Sequence, residues 1–260
     1  MDNASRTTGT VGLADPTDER ANCGVGVVMD MDGGRDHSVV ADGLELLANL
    51  EHRGTTGAEE ATGDGAGILL QTPREFFAEA VDTDLPDTYA VGSVFFPAND
   101  DARTTLKARM QAIFAEHGLD VVAWRDVPTD NSELGQTAID SEPDVRQCFV
   151  APNEEIEDEE FDRRLYVSRR AIENDVEDRN PAGAERFYIC SLDRKTIVYK
   201  GLLKGDQVTD YYPDLADERV ASNFAMVHAR FSTNTLGAWH LAHPYRNIIH
   251  NGEFNTIQGN

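Results

Sequence analysis

Short apolar runs and helically spaced apolar residues follow one another along this chain. Runs rich in β-branched and aromatic residues predict strands. In chain order these cover 23–30, 66–72, 88–96, 119–127, 147–152, 186–192, 195–201 and 223–231. Apolar residues at helical spacing predict helices over 38–51, about 101–117 and 154–178, and Pro73 starts a further short helix. We expect residues 247–256 to run from a strand into a turn.

The order of these elements mixes hairpins with helices, which predicts an α+β sandwich rather than a doubly wound parallel sheet. The strands 186–192 and 195–201 carry a hairpin signal, because only a tight turn at Asp193 and Arg194 separates them. On the helix 154–178, four apolar residues fall on one face and predict its buried side: Phe161, Leu165, Ile172 and Val176. No internal repeat and no strong linker divides the chain, so we expect a single domain.

Composition excludes a membrane protein. Apolar residues make up 40% of the chain, and no apolar run approaches the roughly 20 residues that span a bilayer. The first 22 residues have neither a basic start nor an apolar stretch, so they are not a secretory signal. They are rich in Thr, Asp, Gly and Asn and are interpreted as a leader. We therefore expect a cytoplasmic protein without a membrane partner.

Charge is the strongest global feature. The chain has 47 acidic and 23 basic residues, a formal net charge of −24. Such a field repels phosphate backbones, so nucleic acid is excluded as a partner. The acidic run 154–162 is interpreted as a solvated helix face rather than a cation site. An acidic surface with only four lysines also suggests a halophilic protein that works in high salt.

The three cysteines differ in their sequence surroundings. Cys148 and Cys190 lie in strand-like apolar runs and are predicted to be buried. Cys23 opens the strand CGVGVVMD, where glycines leave its thiol uncrowded. A thiol with a pKa of about 8.5 needs a base at neutral pH. Cleavage before Cys23 would supply one, its own α-amino group. Taken alone, this segment is explained more simply by a buried cysteine in a strand.

Three further segments carry candidate chemistry. EHRG places Arg53 in a glycine-rich loop, and HARFSTNT ends a strand with Arg230, whose planar fork suits a carboxylate. In HNGE, the side-chain amide of Asn251 and the backbone N–H of Gly252 could converge on one oxyanion. Each segment alone also has an ordinary structural explanation. TGDGAG meets no nucleotide fingerprint, and HLAH lacks a third ligand, so no metal site is predicted.

Taken together, six segments have the order and approximate spacing of a known family. They are CGVGVV, EHRGTTG, TGDGAGILLQTPREFF, FYICSLDRKTIVYKGLL, FAMVHARFSTNT and HNGEFNT. Over about residues 22–260 the chain resembles the glutaminase domain of glutamate synthase, a class II glutamine amidotransferase. The Cys-Gly, His-Arg-Gly, His-x-Arg and Asn-Gly elements are shared by the wider class, whereas TGDGAG and RFSTNT point to glutamate synthase.

This resemblance implies the N-terminal nucleophile hydrolase fold, an αββα sandwich, and a set of catalytic roles. Cys23 becomes the first residue after removal of 1–22 and attacks the side-chain amide of L-glutamine. Asn251 and Gly252 hold the oxyanion. The family pattern also implies that Arg230 binds the α-carboxylate with Thr233 lining the same pocket, and that Arg53 orders the loop around the nucleophile. The products are glutamate and ammonia.

The resemblance also implies what lies outside these residues. The aspartate that binds the α-amino group of glutamine in this class lies beyond residue 260, so residues 23–260 are expected to be a C-terminally incomplete domain. No cofactor is expected in this chain, which has no cluster-ligand cysteine pattern. FMN and an iron–sulfur cluster are implied for the full-length enzyme. Synthase and flavin domains would follow residue 260, with an electron-donor subunit or ferredoxin as partner.

Two other functions remain open from the sequence. The chain could be the amidotransferase part of another synthase, such as one that makes an amino-sugar or purine precursor. It could also be a catalytically silent structural fragment.

Overall fold

A computed structural model describes residues 23–50, 59, 61–230 and 237–250 of the chain. Over these residues, eight strands form two antiparallel sheets of four strands each. Sheet A has the order β1-β8-β2-β7 and sheet B the order β4-β5-β3-β6. The strands are β1 (Gly24–Met29), β2 (Ala66–Gln71), β3 (Ala90–Phe96), β4 (Leu119–Asp126), β5 (Asp144–Pro152), β6 (Tyr188–Asp193), β7 (Thr196–Gly201) and β8 (Phe224–Ala229).

Helices pack against both sheets, which confirms the predicted α+β class. They are α1 (His37–Asn49), α2 (Arg74–Ala80), α3 (Asp100–Glu116), α4 (Gln136–Asp140), α5 (Asp158–Arg179) and α6 (Gln207–Tyr211). Helix α1 packs on β1, β8 and β2 of sheet A, while α3 and α5 pack on each other and on sheet B. None of the helices in the described residues is long and apolar enough to cross a lipid bilayer.

Helix α1 shows how local sequence places an element on the sheet. Asp36 caps its N-terminus by accepting a hydrogen bond from Ser38 N at 2.7 Å. The apolar face buries Val40 and Leu47 completely. At Gly43 the helix comes so close to β8 that an added Cβ would lie 2.6 Å from Ala225 Cβ. At this point the helix therefore packs against β8, one of the two central strands of sheet A, at a distance that leaves no room for a side chain on the helix.

Helix α5 buries the face that its spacing predicts. Phe161, Leu165, Ile172 and Val176 are all buried in a cluster with α3 and the facing side of sheet B. The helix begins at Asp158, four residues later than predicted, with three acidic residues in its first turn. Acidic side chains are stabilising at a helix N-terminus because of the helix dipole. The acidic run is thus largely solvated, although Asp158 and Asp162 also pair with Arg194.

The predicted hairpin between 186–192 and 195–201 is wrong. Strand β6 pairs with β3 in sheet B, whereas β7 pairs with β2 in sheet A. Side chains replace backbone pairing at the crossover: Ser191 Oγ accepts a hydrogen bond from Val198 N at 3.2 Å. The carboxylate of Asp193 accepts another from Lys195 N at 2.7 Å. The tight turn therefore passes the chain from one sheet to the other.

The strand predicted at the start of 247–256 is also wrong within the described residues. Tyr245 and Ile248 close a turn through two backbone hydrogen bonds, of 3.0 and 2.7 Å. Arg246 inside this turn has φ of 43°, a left-handed conformation that a strand does not adopt. Residues 251–256 lie outside the described residues. The short helices α4 and α6 were not predicted, because five residues carry too little periodicity.

Candidate active site

One end of sheet A gathers segments that are far apart in the sequence. Gly24 at the start of β1 pairs with Ala229 at the end of β8. Ala229 pairs on its other side with Ala66 at the start of β2, and Ala66 pairs with Gly201 at the end of β7. All four strands therefore begin or finish at the same end of the sheet. The next residues outward include Cys23, Arg230 and the TGDG segment that precedes β2.

Cys23 is half-buried at this end of the sheet. Cys23 directly precedes β1, and Val25, two residues later, pairs with His228 of β8. The glycines after Cys23 face helix α1. An added Cβ would lie 2.9 Å from Leu50 Cβ at Gly24, and an equivalent one at Gly26 would lie 2.4 Å from Leu46 Cδ2. These glycines admit α1 and do not open the backbone to a ligand.

Arg230 is bound to the TGDG segment through both its backbone and its side chain. Its backbone N donates to Gly65 O at 2.8 Å, and Nη1 donates to Asp64 O at 3.1 Å. The residue is half-buried. A guanidinium carries five N–H donors in a planar fork, a geometry that suits a carboxylate. Arg230 therefore lies at the same end of sheet A as Cys23.

The glycines of TGDGAG allow another part of the chain to cross sheet A. At Gly65, where φ is 129°, an added Cβ would lie 2.9 Å from Ala242 Cβ. At Gly67 it would lie 2.6 Å from His243 O. Side chains at these positions would push away residues 237–250, which pass over this face. The segment is a packing surface, and it supports the conclusion from the sequence that TGDGAG is not a phosphate cradle.

Two buried imidazoles pack against each other here, His228 of β8 and His243 of the crossing segment. The ring centroids of His228 and His243 are 4.3 Å apart and nearly parallel, with 21° between the planes. The Nε2 atom of His228 is 2.9 Å from His250 O, a hydrogen bond in which the imidazole donates. His243 also lies 4.5 Å from the ring of His250, edge to face. The chain just before Asn251 is therefore attached to the central strand of sheet A.

Both buried imidazoles are held neutral. Burial lowers the pKa of His228 from its usual 6.5 to about 4, and the pKa of His243 to about 2. Within the described residues, the Nδ1 atoms of both rings are buried without a hydrogen-bond partner. A proton on Nδ1 of His228 would therefore lack an acceptor, which favours the neutral tautomer with hydrogen on Nε2.

Lys200 holds the same crossing segment from β7. Its ammonium donates to Ala242 O at 2.7 Å and to His240 O at 3.0 Å, and it lies 4.6 Å from the ring centroids of Tyr188 and Tyr245. The side chain is only 1% exposed. Burial lowers the pKa of Lys200 to about 8. Since that pKa is still above 7, the lysine is mostly charged at neutral pH.

Four of the site residues predicted from the sequence lie outside the described residues: Arg53, Thr233, Asn251 and Gly252. The two predicted site residues that the structure describes, Cys23 and Arg230, lie at the same end of sheet A. His250, the residue before Asn251, is described and is bound to His228.

Comparison with known proteins identifies the family of the chain. A family profile, glutamine amidotransferases class-II, matches residues 23–260. The chain belongs to this family. The match begins at Cys23 and supports the α+β sandwich of N-terminal nucleophile type that the resemblance implies.

Several relatives of this amidotransferase chain are glutamate synthases. It is 42% identical over 253 residues to the large chain of glutamate synthase [NADPH] from Bacillus subtilis, covering 96% of this chain. It is 40% identical over 256 residues to the corresponding large chain from Azospirillum brasilense, again over 96% of this chain. A ferredoxin-dependent glutamate synthase from Arabidopsis thaliana is 38% identical over 253 residues. The chain spans only 15–17% of the length of these three relatives.

Neither His228 nor Lys200 of this amidotransferase chain was singled out from the sequence. Both His228 and Lys200 interrupt apolar strand runs, AMVHA and IVYKG, with a polar residue. A polar residue within a buried strand run requires a partner, and this signal could have marked both positions. By contrast, the predicted burial of Cys148 and Cys190 is confirmed, since both are at most 1% exposed.

Proposed function

We propose that this chain hydrolyses the side-chain amide of L-glutamine and supplies ammonia for the synthesis of glutamate from 2-oxoglutarate. The observation that carries the proposal is the gathering of Cys23, Arg230 and the His250 anchor at one end of sheet A. The class-II amidotransferase match over 23–260 supports it. The names of the relatives, all glutamate synthases, support the use of the ammonia.

The first half of the proposed reaction makes a thioester. Residues 1–22 are removed as a leader, and the match that begins at Cys23 supports this boundary. The free α-amine of Cys23 accepts the thiol proton, and the thiolate attacks the amide carbon of glutamine. Asn251 Nδ2 and Gly252 N–H donate to the resulting oxyanion. The intermediate then expels ammonia, which receives its proton from the α-ammonium group.

The second half of the reaction releases glutamate. The α-amine, neutral again, accepts a proton from water as the water oxygen attacks the thioester. Collapse breaks the C–S bond and returns the thiol of Cys23. Throughout, Arg230 binds the α-carboxylate of glutamine, Thr233 lines the same pocket, and Arg53 orders the neighbouring loop. Each of these roles is part of the proposal.

Cofactor chemistry is proposed to lie outside these residues. The relatives use NADPH or ferredoxin according to their names, and we propose FMN and an iron–sulfur cluster in synthase and flavin domains beyond residue 260. The described cysteines do not fit a cluster. Burial raises the pKa of Cys148 and of Cys190 to about 12, and the two lie in separate core clusters, whereas cluster ligands are thiolates gathered at one site.

We also propose a cytoplasmic location in a host with a salty interior. The support is the net charge of −24 and the scarcity of lysine.

Steady-state glutamine hydrolysis tests the proposed function. The protein is expressed from its complete reading frame, and glutamate and ammonia are measured together. We expect equal amounts of the two products, no turnover in Cys23→Ala, and a kcat about 10²–10³-fold lower in Asn251→Ala. Cys148→Ala, which removes a buried thiol of sheet B, is the matched control and should stay active. A silent fragment would release no glutamate, and activity that survives in Cys23→Ala would exclude the proposed nucleophile.

A further inference from the structure

The geometry points to a positioning residue for the proposed reaction. We propose that His228, by donating from Nε2 to His250 O, fixes the chain just before Asn251 and Gly252 so that their two donors meet the oxyanion formed at Cys23. This inference rests on the proposed function, since it assigns a role within that reaction. His228 touches neither the substrate nor the reacting atoms, so its role is to position and not to catalyse.

The position of His228 in the sheet makes it a rigid reference point. It pairs with Val25 of β1 on one side and with Gly67 of β2 on the other. Val25 lies in β1, two residues after Cys23, which directly precedes that strand. A carbonyl bound by His228 therefore has a set distance from the nucleophile. Oxyanion donors need this kind of placement, because a shift of 1 Å can cost about 10²-fold in rate.

The surroundings of His228 also fix the direction of its hydrogen bond. The ring is completely buried and stacked on His243 at 4.3 Å. Within the described residues Nδ1 has no hydrogen-bond partner, so the bond from Nε2 is the ring's hydrogen bond in this arrangement. A carbonyl can only accept, so the hydrogen must be on Nε2. His228 thus offers one donor in one direction.

Lys200 supplies a second attachment for the same segment. It lies next to Gly67 in the sheet, on the side opposite His228. Its ammonium holds Ala242 O at 2.7 Å, eight residues before His250. The crossing segment is therefore held at Ala242 and at His250, and the absence of a side chain at Gly67 leaves room for His243 O between these two points. His228 sets the end that leads into Asn251.

Three substitutions of His228 separate its donor from its bulk. His228→Gln places an amide nitrogen near the position of Nε2, whereas His228→Asn places one near the position of Nδ1. His228→Phe keeps a ring for stacking and removes the donor. In the protein expressed from its complete reading frame, we expect kcat for glutamine hydrolysis to fall about 10- to 100-fold in the Asn and Phe variants. The Gln variant should remain within about fivefold of the wild type, and KM should change little in all three.

His37 provides a matched control. Its Nδ1 also bonds a backbone carbonyl, Val220 O at 3.0 Å, but at the opposite end of sheet A. His37→Phe should leave kcat unchanged. A merely structural role for His228 would instead lower the melting temperature of the Gln and Asn variants alike and would not separate their kcat values. Equal kcat in the Gln and Asn variants, or an unchanged kcat in the Phe variant, overturns the inference. If the Phe variant does not fold, the Gln and Asn pair decides.

Hydrogen exchange keeps this inference separate from the proposed function. Peptides covering residues 245–256 should exchange faster in His228→Asn than in His228→Gln, and peptides from α3 should be the same in both. If the wild type does not hydrolyse glutamine, the proposed function fails, and the catalytic part of the inference fails with it. The exchange experiment then still shows whether His228 holds the segment. Equal exchange in the two variants rules out the anchor itself.

Discussion

At the residue scale, the site depends on polar side chains whose partners are mostly backbone carbonyls. Arg230 donates to Asp64 O, His228 to His250 O, and Lys200 to Ala242 O. Bonds of this kind tie loop segments to strands without a second side chain. They also explain why only part of the site could be predicted from the sequence. Arg230 belongs to a recognisable motif, whereas a side chain bound to a backbone carbonyl leaves no partner residue to identify.

Arg230→Lys tests the proposed carboxylate contact. A lysine keeps the positive charge but loses the planar fork that binds a carboxylate in two places. A charge-assisted hydrogen bond contributes about 1.5–3 kcal/mol, so KM for glutamine should rise about 10- to 100-fold while kcat falls much less. Arg219→Lys, at an exposed ion pair with Asp217, is the control. An unchanged KM in Arg230→Lys would place the substrate carboxylate elsewhere.

The buried imidazoles predict a loss of stability in mild acid. An unfolded histidine takes up its proton near pH 6.5, whereas native His228 does so only near its lowered pKa of about 4. Between these values the unfolded state binds more protons, so the free energy of unfolding decreases as the pH falls. His228 alone should remove about 3 kcal/mol by pH 4, and His243 acts in the same direction, because its pKa is lowered to about 2.

Urea unfolding at several pH values between about 7 and 4 checks this prediction. The free energy of unfolding of the wild type should fall more steeply with acid than that of His228→Phe. Parallel curves for the wild type and His228→Phe would show that the ring accepts a proton freely in the native state.

At the element scale, the sequence identified the eight strands and the three long helices but not all of their connections. Apolar periodicity reports which residues are buried, and it located β8 and the buried face of α5 well. It does not report which strand is the neighbour. The turn after Asp193 has the short length of a hairpin, yet β6 and β7 belong to different sheets. That outcome depends on β3 and β2, which lie about a hundred residues away.

Gly43→Ala tests the close contact between α1 and β8. In an exposed helix this change would stabilise by about 1 kcal/mol. Here the new Cβ would lie 2.6 Å from Ala225 Cβ, so we expect a destabilisation of about 1–3 kcal/mol through overpacking. Urea unfolding measures the change. Adding Ala225→Gly should recover part of it, and a Gly43→Ala protein more stable than the wild type would contradict the packing described for α1.

At the scale of the whole molecule, charge and length set the context of the site. The net charge of −24 makes the folded chain repel itself in dilute buffer. The chain spans 15–17% of the length of the glutamate synthases compared above. Under the proposed function, the ammonia made at Cys23 is consumed by chemistry in other parts of the protein.

Salt dependence of folding tests the proposal of a halophilic host. Raising KCl from about 0.1 M to 1 M shortens the screening length from about 10 Å to about 3 Å, which weakens repulsion among the acidic side chains. We expect the urea midpoint to rise by an amount equivalent to about 1 kcal/mol or more. Full stability in dilute buffer, with no gain from salt, would contradict a salt-adapted surface.

The role of Cys23 as the nucleophile is tested by the intact mass of the protein after incubation with 6-diazo-5-oxo-L-norleucine, an electrophilic analogue of glutamine. We expect a protein that begins at Cys23 and carries one adduct, which peptide mapping places on the Cys23 thiol. An unmodified protein that keeps residues 1–22, or an adduct on Cys148 or Cys190 with none on Cys23, would contradict it.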